Sequence, residues 1–309
     1  MKFTDGQWRI REGITVYNPF EVHDLIIDAD SVTVYAPCRH INHRAATLDG
    51  PLFTIRFSSP MPDVICVQMF HFTGWRKRGP EFALNRQDKT KVDIVDDEGS
   101  VRLTSGSLSV RIEKEKGWAV DFFHGDRRIT GSGFRSAGYI IVNTGDVYMR
   151  EQLDLGVGEC VYGLGERFTP FVKNGQVVEI WNEDGGTNSE QAYKNIPFYL
   201  TNKGYGVFVN HPERVSFEVG SERVSKVQFS VPGEYLEYYI INGPTAKKVL
   251  ENYTALTGRP ALPPAWTFGL WLTTSFTTDY DEKTVSHFVD GMAERDLPLS
   301  VFHFDCFWM

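Results

Sequence analysis

From Met1 to about Asn242 the chain repeats one kind of unit: a short segment with apolar or β-branched residues at every second position, closed by Gly, Pro, Asn or Asp. SVTVYAP, LFTIRF, VICVQMF, VRLTSGSLSVRIE, YGVFVN, RVSFEV and KVQFSV all follow this pattern. A period of two sends alternate side chains to opposite faces, so each segment predicts a half-buried antiparallel strand. No helical spacing of apolar residues interrupts the series. Strands in such number bury their apolar faces by stacking sheets, and the pattern predicts a β-sandwich over residues 1–242.

The character changes at Ile241-Asn242-Gly243-Pro244. Pro244 is suited to open a helix, and TAKKVLENYTALTG keeps its apolar residues on one face until Gly258 ends it. A Pro-rich linker, RPALPPAW, leads to TFGLWL, an apolar run too short for a helix, and then to the polar loop TTSFTTDYD. EKTVSHFVDGMAERD predicts an amphipathic helix with Val285, Phe288, Val289 and Met292 on one side, and LPLSVFHF predicts a second buried strand. Strand, helix, strand with continuous apolar strands implies a parallel sheet covered by helices. The expected fold class is therefore mainly β. A sandwich fills residues 1–242, and residues 243–309 form a linker helix and the first β/α units of a (β/α)8 barrel or doubly wound sheet, truncated at the carboxyl end of the second strand. Such folds place ligand-binding residues at that end.

Bulk properties narrow the function classes. The net charge is -8, with no basic block able to neutralise phosphates, so nucleic acid is not an expected partner. No window approaches the roughly 18 apolar residues of a spanning helix, and the N-terminus MKFTDGQWRIREG lacks the apolar stretch of a signal peptide. The expectation is a cytoplasmic protein with no membrane partner, and a homo-oligomer is compatible with the sequence. Cys38, Cys66, Cys160 and Cys306 are scattered, as free thiols would be. CRHINH brings Cys38, His40 and His43 close together but without a fourth ligand at a recognisable spacing, so no metal is expected. The glycines of LGVGECVYGLGERF do not fit a dinucleotide fingerprint, no phosphate-loop motif occurs, and no cofactor is expected.

Several residues are candidates for a binding site. Asp305 follows the apolar run VFHF and so projects from a strand end; it reads either as a turn acid or as a ligand acceptor. Phe276, in the loop after the first parallel strand, would lie on the same face, together with Trp271 and Trp308, and loop packing is its alternative role. WNEDGGTNSEQAYKNIPFY, 181–199, is a long polar loop between hydrophobic strands, in which Asp184 forms an Asx turn or reaches a neighbouring pocket. His303, inside the apolar run, reads as a core histidine.

GLGERF at 163–168, the segment YKNIPFYLTNKGYGVFVN, the linker and strand PALPPAWTFGLWL and the terminal FDCFWM together resemble glycoside hydrolase family 31 along essentially the whole chain. The resemblance implies a galactose-mutarotase-like sandwich, entry into a catalytic (β/α)8 barrel, and a retaining α-glycosidase. In the α-glucosidase branch the residues after the second barrel strand resemble D-I-D-Y-M. Here that window is Asp305-Cys306-Phe307-Trp308-Met309, so Asp305 would bind sugar hydroxyls while Phe307 replaces the second acid. A phenyl ring there fills the space of the glucose hydroxymethyl group and leaves its hydroxyl without a partner, a pattern similar to the α-xylosidase branch. Phe276 and Cys306 would line the pocket, and Asp184 would reach over its rim.

Retaining hydrolysis needs two carboxyl groups ~5 to 5.5 Å apart. The family's nucleophile follows a K-x-[DN]-F-G-E-like strand, and no such segment occurs here. The expectation is thus the N-terminal part of an α-xylosidase acting on an α-xyloside or oligosaccharide substrate, inert by itself, with no catalytic residue in this chain. The alternative is a non-catalytic carbohydrate-binding or assembly module built on the sandwich.

Overall fold

The computed structural model describes all residues except 7, 73, 75–78, 88–89, 184–187, 276 and 306–309. It divides into two compact units, Met1–Gly258 and Arg259–Met309.

The first unit is a stack of antiparallel sheets, and every quoted alternating segment is strand within it, VRLTSGSLSVRIE forming two paired strands, Ser100–Ser105 and Leu108–Glu113. The largest sheet has eight strands, in the order Val161–Gly163, Phe198–Thr201, Tyr205–Val209, Tyr235–Asn242, Val64–Phe70, Leu52–Met61, Ser31–Pro37 and Asp24–Ile27. A six-stranded sheet runs from Val177–Ile180 at one edge to Ile14–Tyr17 at the other. A five-stranded meander covers Asp93–Asp96 to Arg127–Ser132. Their inward faces share one continuous core that includes Phe53, Phe57, Val110, Phe122, Phe217 and Phe229, all essentially inaccessible. Burying a Phe or Leu side chain contributes about 1.5–3 kcal/mol, so this shared core is what holds the sheets together.

The strand YLEYYIIN, Tyr235–Asn242, departs from alternation: all of its residues are buried. Leu236, Tyr238 and Ile240 enter the main core, while Tyr239 and Ile241 face outward into a second cluster with Phe198, Phe208 and Val249. What covers the outer face is the helix Ala246–Thr257. Thr245 caps it, its side chain accepting from Lys248 N, and Gly258 ends it. The sequence groups this helix with the barrel start; in the structure its apolar face, Val249 and Leu256, packs on the sandwich.

The second unit holds two parallel strands, Leu270–Leu272 and Leu299–Phe302, joined through the helix Glu282–Glu294. Asp281 caps the helix, accepting from Thr284 N at 2.9 Å, and these hydrogen bonds draw its carboxyl below the ordinary value. Val285, Phe288 and Met292 are half-buried as the amphipathic pattern requires, but no residue of the helix is fully buried. The expectation of buried strands does not hold either: Leu270 and Trp271 are exposed, and so is His303, which is not a core histidine. One helix over a two-stranded sheet leaves the other face open. Trp266, Phe268, Trp271, Leu297 and Phe304 remain exposed in this unit. Trypsin at low dose should therefore cut within Arg259–Met309 before it cuts inside the sandwich, as read by mass spectrometry of the first products. Earlier cleavage between two sandwich strands would contradict this.

Candidate functional site

The carboxyl ends of the two parallel strands deliver a set of hydroxyls and one acid. His303 N donates to Leu272 O at 2.8 Å, which keeps the chain in register just before Phe304 and Asp305 leave the strand. Tyr280 fills the space beside them. Its hydroxyl lies 3.1 Å from Thr273 Oγ1 and 3.3 Å from Ser275 O, and its ring stands 5.2 Å from that of Phe304. Burial works to raise the Tyr280 hydroxyl, but hydrogen bonds with Thr273, Thr274 and the Asp305 backbone bring it below the usual phenol value. Asp305 is half-buried. A carboxylate beside a phenol and threonine hydroxyls offers acceptors and donors together, which suits a ligand bearing many hydroxyl groups. Phe276, Cys306, Phe307 and Asp184, and with them Trp308, lie outside the described residues. Trp271 turns its Nε1 to Thr267 O at 3.0 Å.

The GLGERF motif has a structural job in the sandwich unit. Gly163, Leu164 and Gly165 take φ values of +102°, +66° and +91° in succession. This left-handed stretch inserts Leu164 fully into the core and brings the chain backbone to backbone against Lys194 and Phe198. Leu164 N donates to Phe198 O at 2.9 Å, and Glu166 N donates to Lys194 O at 3.0 Å. Arg167 then ties together four acceptors: Leu164 O (3.0 Å), Glu190 O (2.9 Å), Glu179 O (2.7 Å) and Asn195 Oδ1. Asn195 returns the tie by donating to Trp181 O, Asn182 Oδ1 and Ala192 O. GLGERF and YKNIPF are thus two sides of one clamp that fixes the base of the polar loop after Trp181.

A second polar cluster has no counterpart in the sequence reading. Glu237, almost fully buried on the outer face of the Tyr235–Asn242 strand, accepts from five donors: Tyr235 and Gln68 at Oε2, and Tyr239 (2.6 Å), Asn210 (2.7 Å) and Arg86 (3.1 Å) at Oε1. Burial alone would raise this carboxyl, but bonds from Tyr235, Tyr239, Asn210 and Gln68 hold it below its ordinary value. A signal was present: an acid framed by tyrosines at i−2 and i+2 in YLEYYIIN places three polar groups on one face of a strand.

The Cys38, His40 and His43 group has other occupations. His40 Nδ1 lies 2.6 Å from Glu21 Oε2, and His43 Nδ1 accepts from Ala46 N at 3.2 Å, capping a short helix. Burial pushes the Cys38 thiol up to about 12. Among the described residues no cluster of three or more His, Cys, Asp or Glu is placed to hold a metal ion.

Comparison with known proteins accounts for both units. Residues 54–218 match the glycosyl hydrolase 31 N-terminal galactose mutarotase-like domain, and residues 260–309 match the glycosyl hydrolases family 31 TIM-barrel domain. Alpha-xylosidase XylQ of Lactiplantibacillus pentosus is 51% identical over 100% of this chain, and an alpha-xylosidase of Emericella nidulans is 48% identical over 100% of it. The chain spans 40% and 42% of the lengths of these two relatives. Among solved structures, the Flavobacterium johnsoniae GH31 dextranase FjDex31A, complexed with glucose, superposes with a TM-score of 0.76 over 94% of this chain and 34% of its own, at 21% identity. With the sandwich and the barrel start each matched in chain order, this chain belongs to glycosyl hydrolase family 31.

Proposed function

We propose that the chain supplies the sandwich and the sugar-selecting strand ends of a retaining α-xylosidase that removes terminal non-reducing α-linked xylose from xylosides or xyloglucan-type oligosaccharides. The observation that carries this reading is identity of about half, over the full chain, to two relatives named alpha-xylosidases. Asp305, at the mouth of the parallel strands, accepts from the hydroxyls of the bound sugar. Phe307 occupies the volume a C5 hydroxymethyl group would need, so glucose is rejected by both crowding and an unpaired hydroxyl. Phe276 and Cys306 line the pocket, and Asp184 serves as a further acceptor. A reducing, cytoplasmic setting belongs to the same proposal, supported by the unpaired Cys38, Cys66 and Cys160, and self-association is compatible with it.

The 309 residues contain no K-x-[DN]-F-G-E-like segment, so the chain by itself should release no nitrophenol from p-nitrophenyl α-D-xyloside above background. The substrate is tested by grafting: this chain replaces the aligned part of the Lactiplantibacillus relative. The chimera should hydrolyse the xyloside in preference to the glucoside, and Phe307→Asp should move that ratio toward glucoside by about 10- to 100-fold. A folded chimera that prefers the glucoside would overturn the proposal.

A further inference from the structure

The outer face of the eight-stranded sheet carries a cleft of about 900 Å³, built from residues of the sandwich unit alone. Its volume lies within the roughly 300–1,000 Å³ of small-ligand sites. Gln68, Asn210, Glu237 and Arg86 line its polar part, and Phe82 and Trp181 line it with aromatic surface. Phe82 is 73% exposed, and Trp181, with the Arg214 guanidinium 5.4 Å over its ring, is 47% exposed, so both keep accessible aromatic surface.

Glu237 organises this surface without being free to bind. Its two oxygens already accept from five donors, and being acceptor-only it dictates how the neighbouring amides turn. Gln68 Nε2 and Asn210 Nδ2 must face the carboxylate, at 2.8 and 2.7 Å, which turns Gln68 Oε1 and Asn210 Oδ1 the other way. Among the described residues neither carbonyl oxygen accepts a hydrogen bond. Arg86 spends Nη2 on Glu237 and on the Tyr239 hydroxyl (2.6 Å), and its Nη1 and Nε bond to no described residue. The cleft therefore offers fixed acceptors beside fixed donors.

The charge balance selects the ligand class. Arg86 is paired with Glu237 at 3.1 Å, so its guanidinium offers no uncompensated positive charge to a phosphate or carboxylate. The amide carbonyls and the guanidinium edge would be left unpaired by an apolar ligand. A neutral ring with hydroxyl groups on its rim and C–H faces above and below satisfies both demands, because each hydroxyl donates and accepts while the faces pack on Phe82 and Trp181. We propose that this cleft is a saccharide-binding site of the sandwich, taking a neutral pyranose unit of an oligosaccharide and made by residues other than those assigned to the strand-end site.

The test is an NMR titration of the 309-residue chain with methyl α-D-xylopyranoside and with methyl α-D-glucopyranoside, following the side-chain amides of Gln68 and Asn210 and the Arg86 Nε–H. Saturable shifts at these groups are expected with at least one glycoside. Asp305→Ala should leave the midpoint within about twofold, whereas Phe82→Ala, at an exposed position that keeps the fold, should raise it at least about fivefold. Absence of saturable shifts up to about 100 mM of either glycoside overturns the site. So does binding that Asp305→Ala abolishes or that Phe82→Ala leaves intact. Because the strand-end reading is judged by the chimera's substrate preference, failure of one leaves the other standing.

Discussion

Glu237→Ala should lower the stability of the sandwich by about 3 kcal/mol, and its apparent unfolding temperature by roughly 6–12 °C. The substitution removes one side chain but strands five donors. The buried Tyr239 and Tyr235 lose their acceptor outright, while Gln68, Asn210 and the half-exposed Arg86 line the cleft and recover part of their hydration. Glu237→Gln keeps the shape yet still fails at one end, because its amide nitrogen would face donors with a donor. The acid dependence follows from the direction of the shift. The carboxyl is held below its ordinary value in the folded chain, so its contribution is fully present above the unfolded value of about 4.3 and is lost as the pH falls through the lower folded value. The gap between wild type and Glu237→Gln should therefore narrow in acid. Calorimetry from pH 7 down to pH 3 reads both effects; a Glu237→Ala loss under about 1 kcal/mol would mean that the network is decoration.

Gly165→Ala is the other severe change. At φ +91° an L side chain is strained by about 1–3 kcal/mol, and here its Cβ would also sit 2.0 Å from Lys194 O. That oxygen is backbone and accepts from Glu166 N, so no rotamer change relieves the clash. The Phe198–Thr201 strand or the clamp around Arg167 must move, and the expected total is about 3–5 kcal/mol. Gly158→Ala separates the two causes. Its φ of +68° carries the conformational strain, but nothing lies within 4 Å of the added carbon, so about 1 kcal/mol is expected. Urea unfolding of the pair measures the difference; equal losses would show that the contact with Lys194 is not what excludes a side chain at 165.

The strands were legible because a period of two survives wherever one face meets the core and the other meets water. Ser31–Pro37 and Ser100–Ser105 keep that rhythm, and their segments were read directly. Burial on both faces does not by itself hide a strand, since Tyr205–Val209 and Val215–Val219 are wholly buried and legible; YLEYYIIN is harder to read because its apolar and aromatic residues run together without alternation. The helix Ala246–Thr257 was legible from Pro244, its apolar face and Gly258, but its partner was not: periodicity says that a face must be covered and is silent on what covers it. His303 shows the reverse error, an apolar run taken for burial when a two-stranded sheet leaves a side open. The position of Asp305 just past a strand is legible in the sequence, and the structure has it after Leu299–Phe302. The Glu237 cluster was missed because Gln68, Arg86, Asn210 and Tyr239 meet only through folding, from segments up to 171 positions apart, counted from Gln68 to Tyr239.

The Ile14–Tyr17 strand pairs with Gly138–Val142, matching Tyr17 with Tyr139 and Ile14 with Val142. A ribosome must therefore add about 125 residues between making one strand and finishing the other, which at about 5–20 residues per second is some 6–25 s. The intervening meander from Asp93 to Ser132 is built of neighbours and is free to close within that time, whereas the first edge strand waits unpaired for its partner to be synthesised. Synthesis thus keeps this strand without its partner while those residues are added, and translation speed becomes a determinant of how long an apolar edge stands open to the wrong neighbour.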